Sequence, residues 1–134
     1  MEESRVEQAV KLHEQGYSCA QAVVSAYCDL VGLEEETAIR IAEGFGLGMG
    51  SMEVCGALTG AYMLAGLKVS AGKGGQGNTK TETYKLIRQM GERFREMNQT
   101  YICREIKGVG TGKILRSCNG CVEDAAQIVE EFLF

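Results

Sequence analysis

The sequence predicts an all-α fold: a compact bundle of six or seven helices around a central Gly/Ala-rich helix at about 51–67, joined by glycine-rich loops. Three observations carry this. No run of the 134 residues alternates apolar and polar like a half-buried strand, while apolar residues recur at helical spacing. There is no proline, so long helices are not interrupted. Glycines stand where the helical periodicity stops, at Gly16, Gly32 and Gly108 for example. The length fits one domain, 1–134, large enough for a hydrophobic core.

Composition narrows the function classes. The N-terminal stretch Met1–Glu7 is polar and acidic, with no apolar core of a signal peptide, and the longest uncharged helical run, Val54–Leu67, is too short and glycine-rich to span a bilayer. A soluble cytoplasmic protein without a membrane span is expected. Charge is uneven: residues 1–67 hold ten acids against three bases, and residues 68–121 hold eleven bases against four acids. The overall pI of about 5.1 and the lack of a basic domain with stacking aromatics argue against nucleic acid as a partner. Acidic and basic helices facing one another explain the pattern. Six cysteines in such a chain suit redox-active or metal-binding thiols better than a disulfide framework.

The first helix is expected over Glu2–Gln15, with Val6, Ala9, Val10 and His13 at helical spacing and Gly16 as a left-handed stop. His13, the one histidine, is read as a helix-surface residue. Ser18 and Gln21 then form a capping box, which makes Cys19 the first residue of a second helix. A thiol there lies beside free backbone N–H groups and the positive end of the helix dipole, which lowers its pKa. This helix runs to about Val31. It looks buried all round, with Ala22, Val23, Ala26 and Leu30 on one face and Val24, Tyr27, Cys28 and Val31 on another. Cys28, mid-helix, is read as core.

A short third helix, Leu33 to about Glu43, has an acidic first turn suited to the dipole and an apolar stripe of Ala38, Ile39, Ala42 and Phe45. Gly44–Gly50 alternates glycine with bulkier residues. A nucleotide-binding glycine loop needs a preceding strand and a βαβ unit, and neither is present, so a tight loop shaping a site at Cys55 is the reading. Ser51 caps the central fourth helix, which continues to about Leu67. Gly56 and Gly60, beside Ala57 and Ala61, give it a smooth strip against which another backbone can press.

Val69–Asn78 is a connection. Gly72–Thr79 has P-loop spacing, but Asn78 stands where the phosphate-binding lysine belongs, which excludes that reading. Thr79–Asn98 is a long amphipathic fifth helix with Tyr84, Ile87, Met90, Phe94 and Met97 inward and a solvated basic face. Thr100 opens a short sixth helix with Cys103 at its third position. Ser117–Val122 begins the last helix, whose inward face is Val122, Ala125, Ala126, Val129 and Phe132. Cys118 and Cys121 form a CxxC at its start, a spacing that suits a redox dithiol or half a metal site. Val122 stands where haem attachment would need histidine.

Cys19, Cys55, Cys103 and the Cys118/Cys121 pair thus all fall in or beside a first helical turn. If these helix starts converge, four or five thiols share one electropositive pocket near Arg104, Lys107 and Arg116. One chemistry is attack of a thiolate on a disulfide, with a second cysteine resolving the mixed disulfide. The other is an iron–sulfur cluster or Zn²⁺ held by three or four thiolates.

Gly-Tyr-Ser-Cys-Ala-Gln (16–21), Gly-Phe-Gly-x-Gly (44–48), Val-Cys-Gly-Ala-x-x-Gly-Ala (54–61), Cys-Arg-Glu (103–105) and a late cysteine before Val122 resemble the C_GCAxxG_C_C family, whose members are described as redox-active. The resemblance covers nearly the whole chain. It implies that the signature cysteines are Cys19, Cys55, Cys103 and Cys118, with Cys121 and Cys28 as extra thiols. More loosely, the pattern resembles part of split-Soret cytochromes, in which a helical domain accompanies an iron–sulfur centre. Their haem motifs are lacking here, so only the cluster carries over.

The expected function is thiol-based redox chemistry through Cys55 and Cys19, with Cys103 and Cys118 as resolving or second-pair thiols. The partner would be a redox protein or a small thiol or disulfide. The alternative uses Cys19, Cys55, Cys103 and Cys118, with Cys121 as a substitute, to hold iron–sulfur or zinc. A third reading is a non-catalytic helical interaction protein with buried cysteines. The smooth strip is compatible with a homodimer.

Overall fold

A computed structural model describes all 134 residues. It contains seven α-helices: α1 (Val6–Glu14), α2 (Cys19–Tyr27), α3 (Glu35–Ala42), α4 (Gly56–Val69), α5 (Lys80–Asn98), α6 (Cys103–Lys107) and α7 (Cys118–Phe132). The only extended pairing is a single antiparallel bridge between Val54 and Ile102. The all-α reading therefore holds, and no helix is long and apolar enough to cross a membrane.

The central helix is α4, packed against α2, α5 and α7. It is apolar around most of its circumference and buries Ala57, Leu58, Ala61, Leu64 and Ala65, while Leu67 and Lys68 in its last turn are exposed. Its contact with α2 is backbone-close. A Cβ on Gly60 would lie 2.9 Å from the Ala20 carbonyl oxygen and 3.3 Å from Ala20 Cα. The helix nevertheless starts later than the sequence suggests. Ser51 does not cap it, and the range about 51–67 becomes Gly56–Val69 with Cys55 at the N-cap. Residues Leu47, Met49 and Met52 adopt positive φ, which coils 47–52 into a tight irregular turn; Val54 then pairs with Ile102 before the helix begins.

Smaller differences follow from the same packing. The second helix ends at Tyr27 and tightens into a 3₁₀ turn over Cys28–Val31, which leaves Leu30 exposed. The third helix tightens at Glu43–Phe45, so Phe45 also leaves the core. On α5, Tyr84 is exposed while Met90 and Phe94 are buried, because only the C-terminal half of that helix lies over the core.

Polar ties fix the helices that carry the cysteines. Arg5, at the start of α1, donates to the Ala26 carbonyl at 3.1 Å and to Asp29 at 2.5 Å, and its backbone N–H donates to Glu130 of α7 at 2.8 Å. Buried Asp124 of α7 accepts from Arg116 at 3.1 Å through each oxygen and from Asn98 of α5 at 3.1 Å. This network anchors the segment that leads into α7. Basic and acidic segments do meet here, and Arg93 of α5 also pairs with Glu131 of α7 at 3.5 Å.

Candidate functional site

Four helix starts point at one place. Cys19 is the first residue of α2. The Ser18–Gln21 capping box is complete, and the Gln21 amide also donates to the Ile39 carbonyl at 2.9 Å, which ties this helix start to α3. Cys55 is the N-cap of α4; its carbonyl accepts from Leu58 and Thr59 at 3.0 Å each, and its N–H donates to Tyr101 at 2.8 Å. Cys103 begins α6, not its third position, and its N–H donates to the Glu53 carbonyl at 2.6 Å. The Val54–Ile102 bridge therefore sets Cys55 and Cys103 side by side. Cys118 begins α7, where Ser117 accepts from the Gly120 N–H at 3.0 Å, and Cys121 follows one turn later.

These five cysteines line one cavity of about 150 Å³, together with His13, Leu47, Ile106 and Lys107. Cys55, Cys103 and Cys121 are buried, Cys19 is half-buried and Cys118 is exposed at the mouth. All six thiols of the chain are free. Cys28 lies outside the cavity, buried in the core, with its thiol donating to the Ser25 carbonyl at 3.3 Å. The glycine of Cys55–Gly56 has a steric purpose. A Cβ on Gly56 would lie 2.7 Å from Cys19 Sγ and 2.6 Å from the Phe45 carbonyl oxygen. Only glycine lets Cys19 and the 44–46 backbone come this close to the start of α4. Gly48 does the same for Cys103, whose Cβ would be 3.0 Å away from an added Cβ, and its φ of +56° also favours glycine.

The inner thiols are held protonated. The neighbouring Cys55 sulfur, then burial, pushes the Cys19 thiol well above the ordinary range. Cys55 is pushed up to about 12, chiefly by its hydrogen bond with Cys121 and by burial, against the lowering influence of Cys19. Burial also raises Cys103, partly offset by the Lys107 ammonium. Helix starts alone would lower these values. Desolvation and thiol–thiol contact outweigh the dipole here, so the expected lowering at Cys19 is reversed. Cys118 differs in surroundings: it is exposed and receives a hydrogen bond from Lys107 Nζ at 3.6 Å.

All four cysteines singled out in the sequence, and the substitute Cys121, thus come together. Cys121 is more than an extra thiol in position, since it contacts Cys55 directly. Of the three cations expected near the pocket, Lys107 lines it, Arg104 acts on Cys103 and Arg116 is engaged by Asp124. His13 is not a plain surface residue. It lines the cavity, and its Nδ1 pairs with Asn119 Oδ1. Its signal was present in the sequence, because it continues the apolar stripe of Val6, Ala9 and Val10. The side chains are not disposed as a metal site: no three of His, Cys, Asp or Glu are grouped closely enough to hold an ion.

A family model described as "Putative redox-active protein (C_GCAxxG_C_C)" matches residues 17–132. The chain belongs to that family. No curated protein and no solved structure matches it.

Proposed function

We propose that this member of the C_GCAxxG_C_C family is a thiol–disulfide redox protein with an outer and an inner pair of cysteines. The observation that carries the reading is the convergence of five free thiols on one small cavity with a single exposed sulfur, Cys118. Cys118 is the attacking thiol. It sits at the start of a 15-residue helix with Lys107 facing its sulfur, an arrangement that stabilises charge developing there. Cys103 is its resolving partner, since Lys107 follows one turn after Cys103 on α6 and acts on both sulfurs. Cys19 and Cys55 form the inner pair, whose two thiols can exchange with the outer disulfide and so pass two electrons outward from the core of the fold. A cavity of about 150 Å³ leaves room for only a few waters, so a substrate disulfide docks at the mouth.

A mononuclear zinc site needs three or four ligand atoms to converge on a single point, and no such group of side chains is present. The test is reaction of the reduced native protein with glutathione disulfide. Cys118→Ser is expected to abolish mixed-disulfide formation, while Cys19→Ser leaves that first step intact. Equal reactivity of wild type and Cys118→Ser would overturn the assignment. Stoichiometric iron with acid-labile sulfide, or stoichiometric zinc, in protein purified without air would replace it with the metal reading.

A further inference from the structure

We propose that His13, held by Asn119, is the proton carrier of the thiol cavity: it takes the proton from the resolving thiol and returns it to the departing thiolate. The inference rests on the dithiol reading above. His13 is the only histidine in the chain, and it comes from the last turn of α1. Its Nδ1 pairs with Asn119 Oδ1, a carbonyl oxygen that can only accept, so Nδ1 carries the hydrogen and Nε2 keeps the basic lone pair. Asn119 directly follows Cys118 in the first turn of α7. The same helix start that presents the outer thiol therefore also fixes the imidazole, and α1 packs along α7 to hold the two in register.

The cavity needs such a group. Cys103 and the inner thiols hold their protons, so none can attack until its proton is removed. Lys107 faces Cys118 and Cys103, and its charge favours negative charge on those sulfurs. No carboxylate lines the cavity. Imidazole is the one lining side chain with one ring nitrogen to accept a proton and another to donate one.

In the first step the Cys118 sulfur bonds to one sulfur of a substrate R–S–S–R′. The substrate S–S bond breaks, and R′S⁻ leaves and takes up the proton lost by Cys118. In the second step the Cys103 thiol gives its proton to His13 Nε2, and its sulfur attacks Cys118 in the mixed disulfide. The thiolate RS⁻ leaves and takes the proton back from the imidazolium. The substrate is reduced by two electrons to RSH and R′SH, Cys103 and Cys118 are oxidised to a disulfide, and His13 is unchanged.

The experiment follows formation and decay of the Cys118–glutathione mixed disulfide by rapid quench and mass spectrometry, starting from reduced protein and glutathione disulfide. His13→Ala is expected to form the mixed disulfide at the wild-type rate and to resolve it on the order of 10- to 100-fold more slowly. Free imidazole is expected to restore the resolution rate. His13→Gln, which can still donate to Asn119 but carries no titrating proton, is expected to be as slow as His13→Ala. Asn119→Ala, which removes a positioning residue, is expected to slow the same step less. Resolution at the wild-type rate in His13→Ala, rescue by glutamine, or no response to imidazole would each overturn the inference and leave the dithiol reading standing. A wild-type protein that forms no mixed disulfide at all would overturn both.

Discussion

The family signature acquires a physical meaning at single residues. In the Cys55–Gly56 pair the cysteine supplies the sulfur, and the glycine admits Cys19 and the Phe45 carbonyl to the same spot. Gly56→Ala is expected to destabilise the fold by about 1–3 kcal/mol, because one of the obstructing atoms is backbone and cannot swing away. Chemical denaturation would measure it, and oxidation of this variant is expected to give less Cys19–Cys55 disulfide. Thiol reactivity is equally specific. With limiting iodoacetamide on the reduced native protein, peptide mapping is expected to find Cys118 alkylated first, and Cys28, Cys55 and Cys121 only after unfolding. The cysteines and their helix-start positions were legible in the sequence. The direction of their pKa shifts was not, since burial and the Cys55–Cys121 contact depend on which elements meet.

Elements were legible where a local signal marks them. The Ser18–Gln21 box and the periodic stretch of α5 gave correct helices because capping and amphipathicity are written in neighbouring residues. The start of α4 was not legible. Ser51 is a good capping residue, but Leu47, Met49 and Met52 take left-handed backbone, and nothing in their side chains announces it. That turn is set by long-range contacts, namely the Cys103 N–H on Glu53 and Ile102 on Val54. Within α4, two glycines serve opposite ends. Gly60 presses on Ala20, whereas nothing lies within 4 Å of a Cβ on Gly66. Gly60→Ala is expected to lower stability by about 1–3 kcal/mol through overpacking. Gly66→Ala is expected to raise it by about 0.5–1 kcal/mol through helix propensity. Urea midpoints for the two variants, at unchanged slope, decide this.

At the scale of the whole molecule, the protonated inner thiols link stability to pH. The unfolded chain gives up these protons near pH 9, whereas the folded chain holds the Cys55 proton up to about 12 and raises Cys19 as well. Above pH 9 the unfolded state therefore binds fewer protons, and stability falls as pH rises towards 12; below pH 9 this contribution is fully present. Denaturation of reduced protein at pH 8 and pH 10 is expected to show the loss. Tyr27, whose pKa is also raised, acts in the same direction at still higher pH, so a flatter profile in Cys55→Ala isolates the thiol contribution. The bundle as a whole was legible from the absence of strand patterns and of proline. That the α1 histidine would meet the start of α7 was not, because their association is a tertiary outcome with no mark in the intervening hundred residues.

In the proposed function the cavity thiols form an outer and an inner redox pair. The most direct test is disulfide mapping by peptide mass spectrometry after stepwise oxidation of the reduced native protein. The expected result is a Cys103–Cys118 disulfide first and a Cys19–Cys55 disulfide second, with Cys28 and Cys121 remaining as free thiols. Scattered pairings, a bond to Cys28, or cysteines that oxidise irreversibly without pairing would contradict the proposal.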